Sequence, residues 1–140
     1  MQNGDLGVHL REELVVILEG VLATVTVTEE ERKWGRKRKP VAFHINWHEL
    51  PLKRLVTIGK RWPDYEVSII TFIDQALADE AAEFLDEAQI PYDSIRYQAF
   101  GAFTNTLRYR TRTRSIYDSD THRLDQYGQL GTAVVKGEDW

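Results

Sequence analysis

The sequence predicts an α/β fold, a mainly parallel Rossmann-like sheet flanked by helices, with a projecting β-hairpin after the first strand. Three observations carry that prediction. Leu14 to Leu18 are five consecutive apolar residues with two valines and an isoleucine, the composition of a central strand covered on both faces. Apolar runs of this kind alternate downstream with segments of helical spacing, which implies right-handed crossovers between parallel strands. A chain of 140 residues, 42% of them hydrophobic, is long enough for one compact domain with a core and too short for two ordinary ones.

After the first strand, Leu22 to Thr28 alternates threonine with apolar residues. Val41 to Trp47 alternates again beyond a polar, basic tip, so residues 22–47 read as a hairpin. Pro51 suits the first turn of a helix, and Leu52, Leu55, Val56 and Trp62 keep helical spacing until Pro63, giving a helix over Glu49 to Trp62 with Trp47 and Trp62 in the core. Tyr65 to Thr71 reads as a second buried strand. Leu77, Ala81, Phe84, Leu85 and Ala88 mark one face of a second helix, with Asp74 as its N-cap and Pro91 beyond its end. A short strand at Ser94 to Gln98, a strand at Arg114 to Tyr117, a helix from Asp120 to Tyr127 closed by Gly128 and a last strand at Thr132 to Val135 complete the pattern. Residues 1–7 carry no structural pattern and are expected to be disordered. The segment Ala99 to Thr113 is the hardest to read; Arg108, Arg110, Arg112 and Arg114 alternate with Tyr109, Thr111 and Thr113, which on a strand would put all four arginines on one face.

Composition narrows the chemistry. There is no cysteine, which removes thiolate nucleophiles, disulfides and cysteine-ligated zinc and leaves carboxylates and histidines. No apolar run approaches the roughly 18 residues of a membrane span, and the start lacks the pattern of a signal peptide, so a cytoplasmic protein without a membrane partner is expected. The net charge is −4, but acids gather at Glu29 to Glu31 and from Asp74 to Glu87, while bases gather at Arg32 to Lys39 and Arg108 to Arg114. His44 and His48 stand four apart in a strand leading into a turn, where that spacing does not bring two rings onto one metal.

Ligands of open parallel sheets bind beyond the carboxyl ends of the strands, where helix N-termini and free amides converge. Glu19, Thr71 and Asp118-Ser119-Asp120 all fall at such ends. The run Leu14-Val15-Val16-Ile17-Leu18-Glu19-Gly20-Val21-Leu22, together with Tyr117-Asp118-Ser119-Asp120, resembles the haloacid dehalogenase (HAD)-like superfamily of phosphatases, whose first motif is a buried strand ending Asp-x-Asp-Gly-Thr/Val-Leu. The resemblance covers most of the chain, 1–140 as a single capless HAD-like domain, with the hairpin placed like the family's flap. It implies a first aspartate that attacks phosphorus and ligates magnesium, a second that acts as acid/base, a Ser or Thr on the phosphoryl group, a cation beside it and a final acidic pair on magnesium. Ile17 and Glu19 stand at the two aspartate positions. Ile17 can neither attack nor ligate, and Glu19 carries an extra methylene that moves its carboxylate by about 1 Å, enough to cost roughly a hundredfold.

The resemblance therefore implies a pseudophosphatase with a vestigial site of Ile17, Glu19, Thr71, Asp118 and Asp120 and no required cofactor. Magnesium at Glu19, Asp118 and Asp120 is the one ion it leaves open, beside the plainer reading of Asp120 as a helix N-cap. The family's cation has no lysine match; Arg108 or Arg110 is the substitute. Function then moves to binding. Arg32, Lys33, Trp34, Arg36, Lys37, Arg38 and Lys39 put six bases around an indole, and Arg108, Arg110 and Arg112 add further charge. The expected activity is that of a regulatory module for a protein partner, reached through the hairpin; the resemblance extends this to a phage-encoded protein directed at a host protein. A homo-oligomer, a magnesium-dependent phosphohydrolase of unusual residue usage and a nucleic-acid-binding protein using the hairpin tip are the alternatives.

Overall fold

The computed structural model describes residues 11–30, 39–107, 109, 113–129 and 134–136. The apolar run forms β1 (Glu13–Ile17), buried at every position. A wide turn, Leu18–Leu22, follows it, with Glu19 and Gly20 outside helical geometry. Gly20 within that turn has φ +96°, and a Cβ there would collide with Ser119 Oγ, so glycine answers both the backbone conformation and the close approach. The hairpin is β2 (Ala23–Glu30) and β3 (Lys39–Trp47), paired antiparallel with Thr26 opposite His44. Then come α1 (Glu49–Arg61), β4 (Glu66–Thr71), α2 (Gln75–Glu87), β5 (Ser94–Tyr97), α3 (Phe100–Leu107), β6 (Thr113–Asp118), α4 (Thr121–Gln129) and β7 (Val134–Lys136).

The main sheet has five parallel strands in the order β5-β4-β1-β6-β7. The chain builds outward from β1 through β4 to β5, then returns across β1 to lay down β6 and β7. That reversal is a doubly wound, Rossmann-like topology, and it makes the crevice beyond β1 and β6 the switch point. Because side chains alternate along a strand, β1 feeds two cores. Leu14 and Val16 pack with Leu55 and Ile58 of α1 and with Leu77, Ala81 and Leu85 of α2; Val15 and Ile17 pack with Phe103 and Leu107 of α3 and with Leu124 and Tyr127 of α4.

Local signals agree with these elements. Asp74 Oδ1 accepts from Ala76 N at 2.8 Å and caps α2. Glu13 is nearly inaccessible at the start of β1, where Ser68 Oγ and Thr113 Oγ1 donate to its two oxygens at 2.7 and 2.9 Å.

Several expectations need correction. The hairpin does not stand clear of the body: Val25, Phe43, Ile45 and Trp47 pack against the core, and Trp47 stacks on Phe84 with centroids 4.5 Å apart. Thr24, Thr26, Thr28, Ala42, His44 and Asn46 form its exposed face, and Lys39 opens β3. Trp62 is not a core residue; as the C-cap of α1 it remains 48% exposed. The segment Ala99 to Thr113, which the sequence left open, starts as a helix. Phe100, Phe103 and Leu107 recur at helical spacing and face the second core, α3 ends at Leu107, and Tyr109 lies in a turn before β6 begins at Thr113, so the strand arrangement of the four arginines is not seen among the described residues. Arg32, Lys33, Trp34, Arg36, Lys37, Arg38, Arg108, Arg110 and Arg112 lie outside the described residues, as do residues 1–7. Among the described residues no helix is long and apolar enough to cross a membrane.

Candidate functional site

The carboxyl ends of β1, β4 and β6 bring together the residues singled out for phosphoryl chemistry. Ile17 ends β1 with no exposed surface, inside the core with Ile70, Phe103 and Tyr127. Fully burying such a side chain is worth about 1.5–3 kcal/mol, which makes this position structural. Glu19 lies two residues on, in the wide turn. Its Oε2 accepts from Phe72 N at 2.9 Å, while Oε1 is buried with no partner in hydrogen-bond geometry among the described residues. Burial raises the Glu19 pKa, against the opposing effect of the Phe72 amide and of the nearby Arg123 charge. Thr71 is fully buried, and its Oγ1 accepts from Ile73 N at 3.1 Å, closing the turn after β4.

Asp118 has no exposed surface, and both its oxygens are occupied. Arg123 Nε donates to Oδ2 at 2.7 Å and Arg123 Nη2 to Oδ1 at 2.9 Å, a two-bond fork; Tyr127 Oη donates to Oδ2 at 2.8 Å and Asp120 N to Oδ1 at 3.1 Å. Asp120 caps α4, accepting from Arg123 N at 3.1 Å, a bond that lowers its pKa, and its other oxygen lies 3.7 Å from Arg123 Nη1. The Arg123 guanidinium also sits over the Phe72 ring, 5.1 Å from the centroid. Burial works against the arginine charge, but the bonds to Asp118 outweigh it and the Arg123 pKa is raised. The Tyr127 pKa is raised by burial first and by the Asp118 carboxylate second.

A divalent ion at Glu19, Asp118 and Asp120 would need open carboxylate oxygens around one point. As folded, the donor set does not fit one. Ile17 offers no donor, Asp118 spends its charge on Arg123, and Asp120 is held by the first turn of α4. Among the described residues no group of three or more His, Asp or Glu side chains gathers as a metal site. What the arrangement does is hold a buried ion pair whose cation is supplied by the chain itself.

Arg123 and Tyr127 were not singled out from sequence, although a signal was present. They stand three and seven residues after the Asp120 cap, on the helix face that turns back toward β6. The histidines behave as spacing implies. His44 is exposed on β3, whereas His48 Nδ1 donates to Val21 O at 3.1 Å and its Nε2 bonds Thr24 Oγ1 at 2.9 Å, tying the start of α1 to the turn after β1.

No protein-family model matches the chain, and no curated protein matches it in sequence. Three solved chains match in structure. One belongs to the structure described as the Pnkp1/Rnl/Hen1 RNA repair complex, with a TM-score of 0.62 and 12% identity over 90% of this chain and 42% of that one. This chain therefore spans less than half the length of that neighbour, and at such identity the likeness is one of fold.

Proposed function

We propose that this chain is a HAD-like protein without phosphotransfer chemistry, acting as a binding module for a protein partner. The observation that carries this reading is the state of the switch point. The position where a nucleophilic aspartate would stand is a core isoleucine, and the acid that would hold a metal is locked to Arg123 and Tyr127. The strand, wide turn and hairpin in direct succession support the resemblance on which the family assignment rests. A shift of register does not supply a nucleophile, because the only acids between Val8 and Thr28 are Glu12 and Glu13, which precede or begin β1, and Glu19, which stands at the second aspartate position.

With chemistry removed, the hairpin is the preferred contact surface. Its outward face is a row of small, mostly polar residues interrupted by His44, and next to it Leu50 is 57% exposed. The experiment has two arms. A panel of phosphoesters with magnesium should give no turnover; hydrolysis that Asp118→Asn abolishes would overturn the loss of chemistry. Capture from the native cell should recover one defined protein, released by Thr26→Glu with His44→Glu while the fold is kept; a reproducible blank would remove the binding half. The basic tip sequence supports nucleic acid as the second reading, distinguished by binding that weakens steeply with salt and is lost when Arg36, Lys37 and Arg38 become Ala.

A further inference from the structure

Beside the C-terminal half of α1, where the helix crosses the beginnings of β1 and β6, lies an open cleft of about 450 Å³. This is within the usual range for small-ligand pockets, about 300–1,000 Å³. Its floor is apolar, made by Leu14 and Ile58 of the first core. Its walls combine two arginines, Arg54 and Arg114, with three aromatic residues, Trp62, Tyr65 and Tyr117. The site is distinct from the switch point and independent of the reading given to it.

Two features distinguish this cleft from an ordinary surface depression. Arg54 has no acidic partner among the described residues, although it is partly buried. A guanidinium held partly out of water without a counter-ion favours an anion beside it. Trp62, which lines the cleft, keeps 48% of its surface exposed, so part of the indole is open to a second ring. The cleft already shows stacking chemistry, with Arg114 over the Tyr65 ring at 5.6 Å from the centroid. Arg114 is also paired to Glu12 at 3.1 Å, which partly offsets its charge and leaves Arg54 as the stronger attraction.

From this arrangement we propose that the cleft binds a nucleoside monophosphate, with the base against Trp62 and the phosphate on Arg54 and Arg114. The ring takes the apolar floor and aromatic rim, while the two arginines match the charge of about −1.5 to −2 on a phosphomonoester at neutral pH.

Titration calorimetry with AMP, GMP, CMP and UMP tests this, with adenosine and inorganic phosphate as partial ligands. Saturable binding of at least one monophosphate is expected, with adenosine and phosphate each roughly tenfold weaker or worse, because neither offers both contacts. Arg54→Ala and Trp62→Ala should each weaken it by about tenfold, with circular dichroism unchanged because neither side chain is in the core. Lys53→Ala, one residue from Arg54 but outside the cleft, should leave affinity unaltered. Absence of heat with all four nucleotides at millimolar concentration, inorganic phosphate binding as tightly as any nucleotide, or affinity indifferent to Arg54→Ala and Trp62→Ala would each overturn the proposal.

Discussion

The carboxyl ends of β1 and β6 and the cleft along α1 use arginine in opposite ways. At the first, Arg123 reaches inward to a carboxylate with no exposed surface and is held by a fork of 2.7 and 2.9 Å bonds against the face of an aromatic ring. Along α1, Arg54 lies in an open cleft with no acid opposite it among the described residues. The position that topology favours for ligands is thus closed by the protein's own cation, and open cationic chemistry is found where the fold does not dictate it. The lesson is that a switch point marks where a site can be built, while side-chain pairing decides whether one is.

The sharpest way to break this comparison is Arg123→Ala. It leaves Asp118 charged, buried and short of its main partner, so a loss of about 3–5 kcal/mol is expected in urea unfolding. A loss under about 1 kcal/mol would mean that water or another group reaches Asp118, and that the closed site is open after all. Gly20→Ala comes next. The left-handed backbone and the approach of Ser119 should together cost about 1–2 kcal/mol by the same measurement, with the turn rather than the ion pair as the cause.

Glu19→Gln acts in the other direction. Burial raises the folded-state pKa of Glu19, so the unfolded chain gives up that proton first and stability falls as pH rises from the unfolded value toward the folded one. Replacing the acid with an amide should raise the thermal midpoint at pH 7 and leave it unchanged below about pH 4, where Glu19 is protonated in both states. A stabilisation that is equal at both pH values would exclude the carboxylate charge as its source. The smallest effect is expected at the open end: Arg54→Ala should change stability by no more than about 0.5 kcal/mol. A large loss there would show that Arg54 has a structural partner and would remove the contrast with Arg123.

Much of the fold was legible because its signals are local. Five apolar residues in a row made β1, threonine alternation made β2, and Asp74 before an amphipathic run made the start of α2. The helix α3 was left unassigned where two patterns overlap. Phe100, Phe103 and Leu107 carry helical spacing, but Arg108 to Arg114 alternates with period two, and the two signals together gave no single element. Trp62 was placed inside because it extends the apolar series of α1, yet the helix ends one residue earlier and the cap residue is left half exposed, lining the cleft. Asp120 was legible as a cap from its place before α4; Arg123 as the partner of Asp118 was not, since the choice between that carboxylate and solvent depends on how α4 packs on β6.

By itself the sequence determined the order of elements apart from α3, the parallel sheet and the absence of an acid at Ile17, because periodicity, caps and residue chemistry act over a few neighbouring residues. Tertiary structure alone decided which charges are closed and which stay open. Asp118 meets Phe72-shielded Arg123 only because β4 lies beside β1 and β1 beside β6, and Arg54 meets Tyr65, Arg114 and Tyr117 only because α1 crosses back over the same strands. Such pairings are fixed by crossover and register between residues far apart in the chain, and no local pattern encodes them.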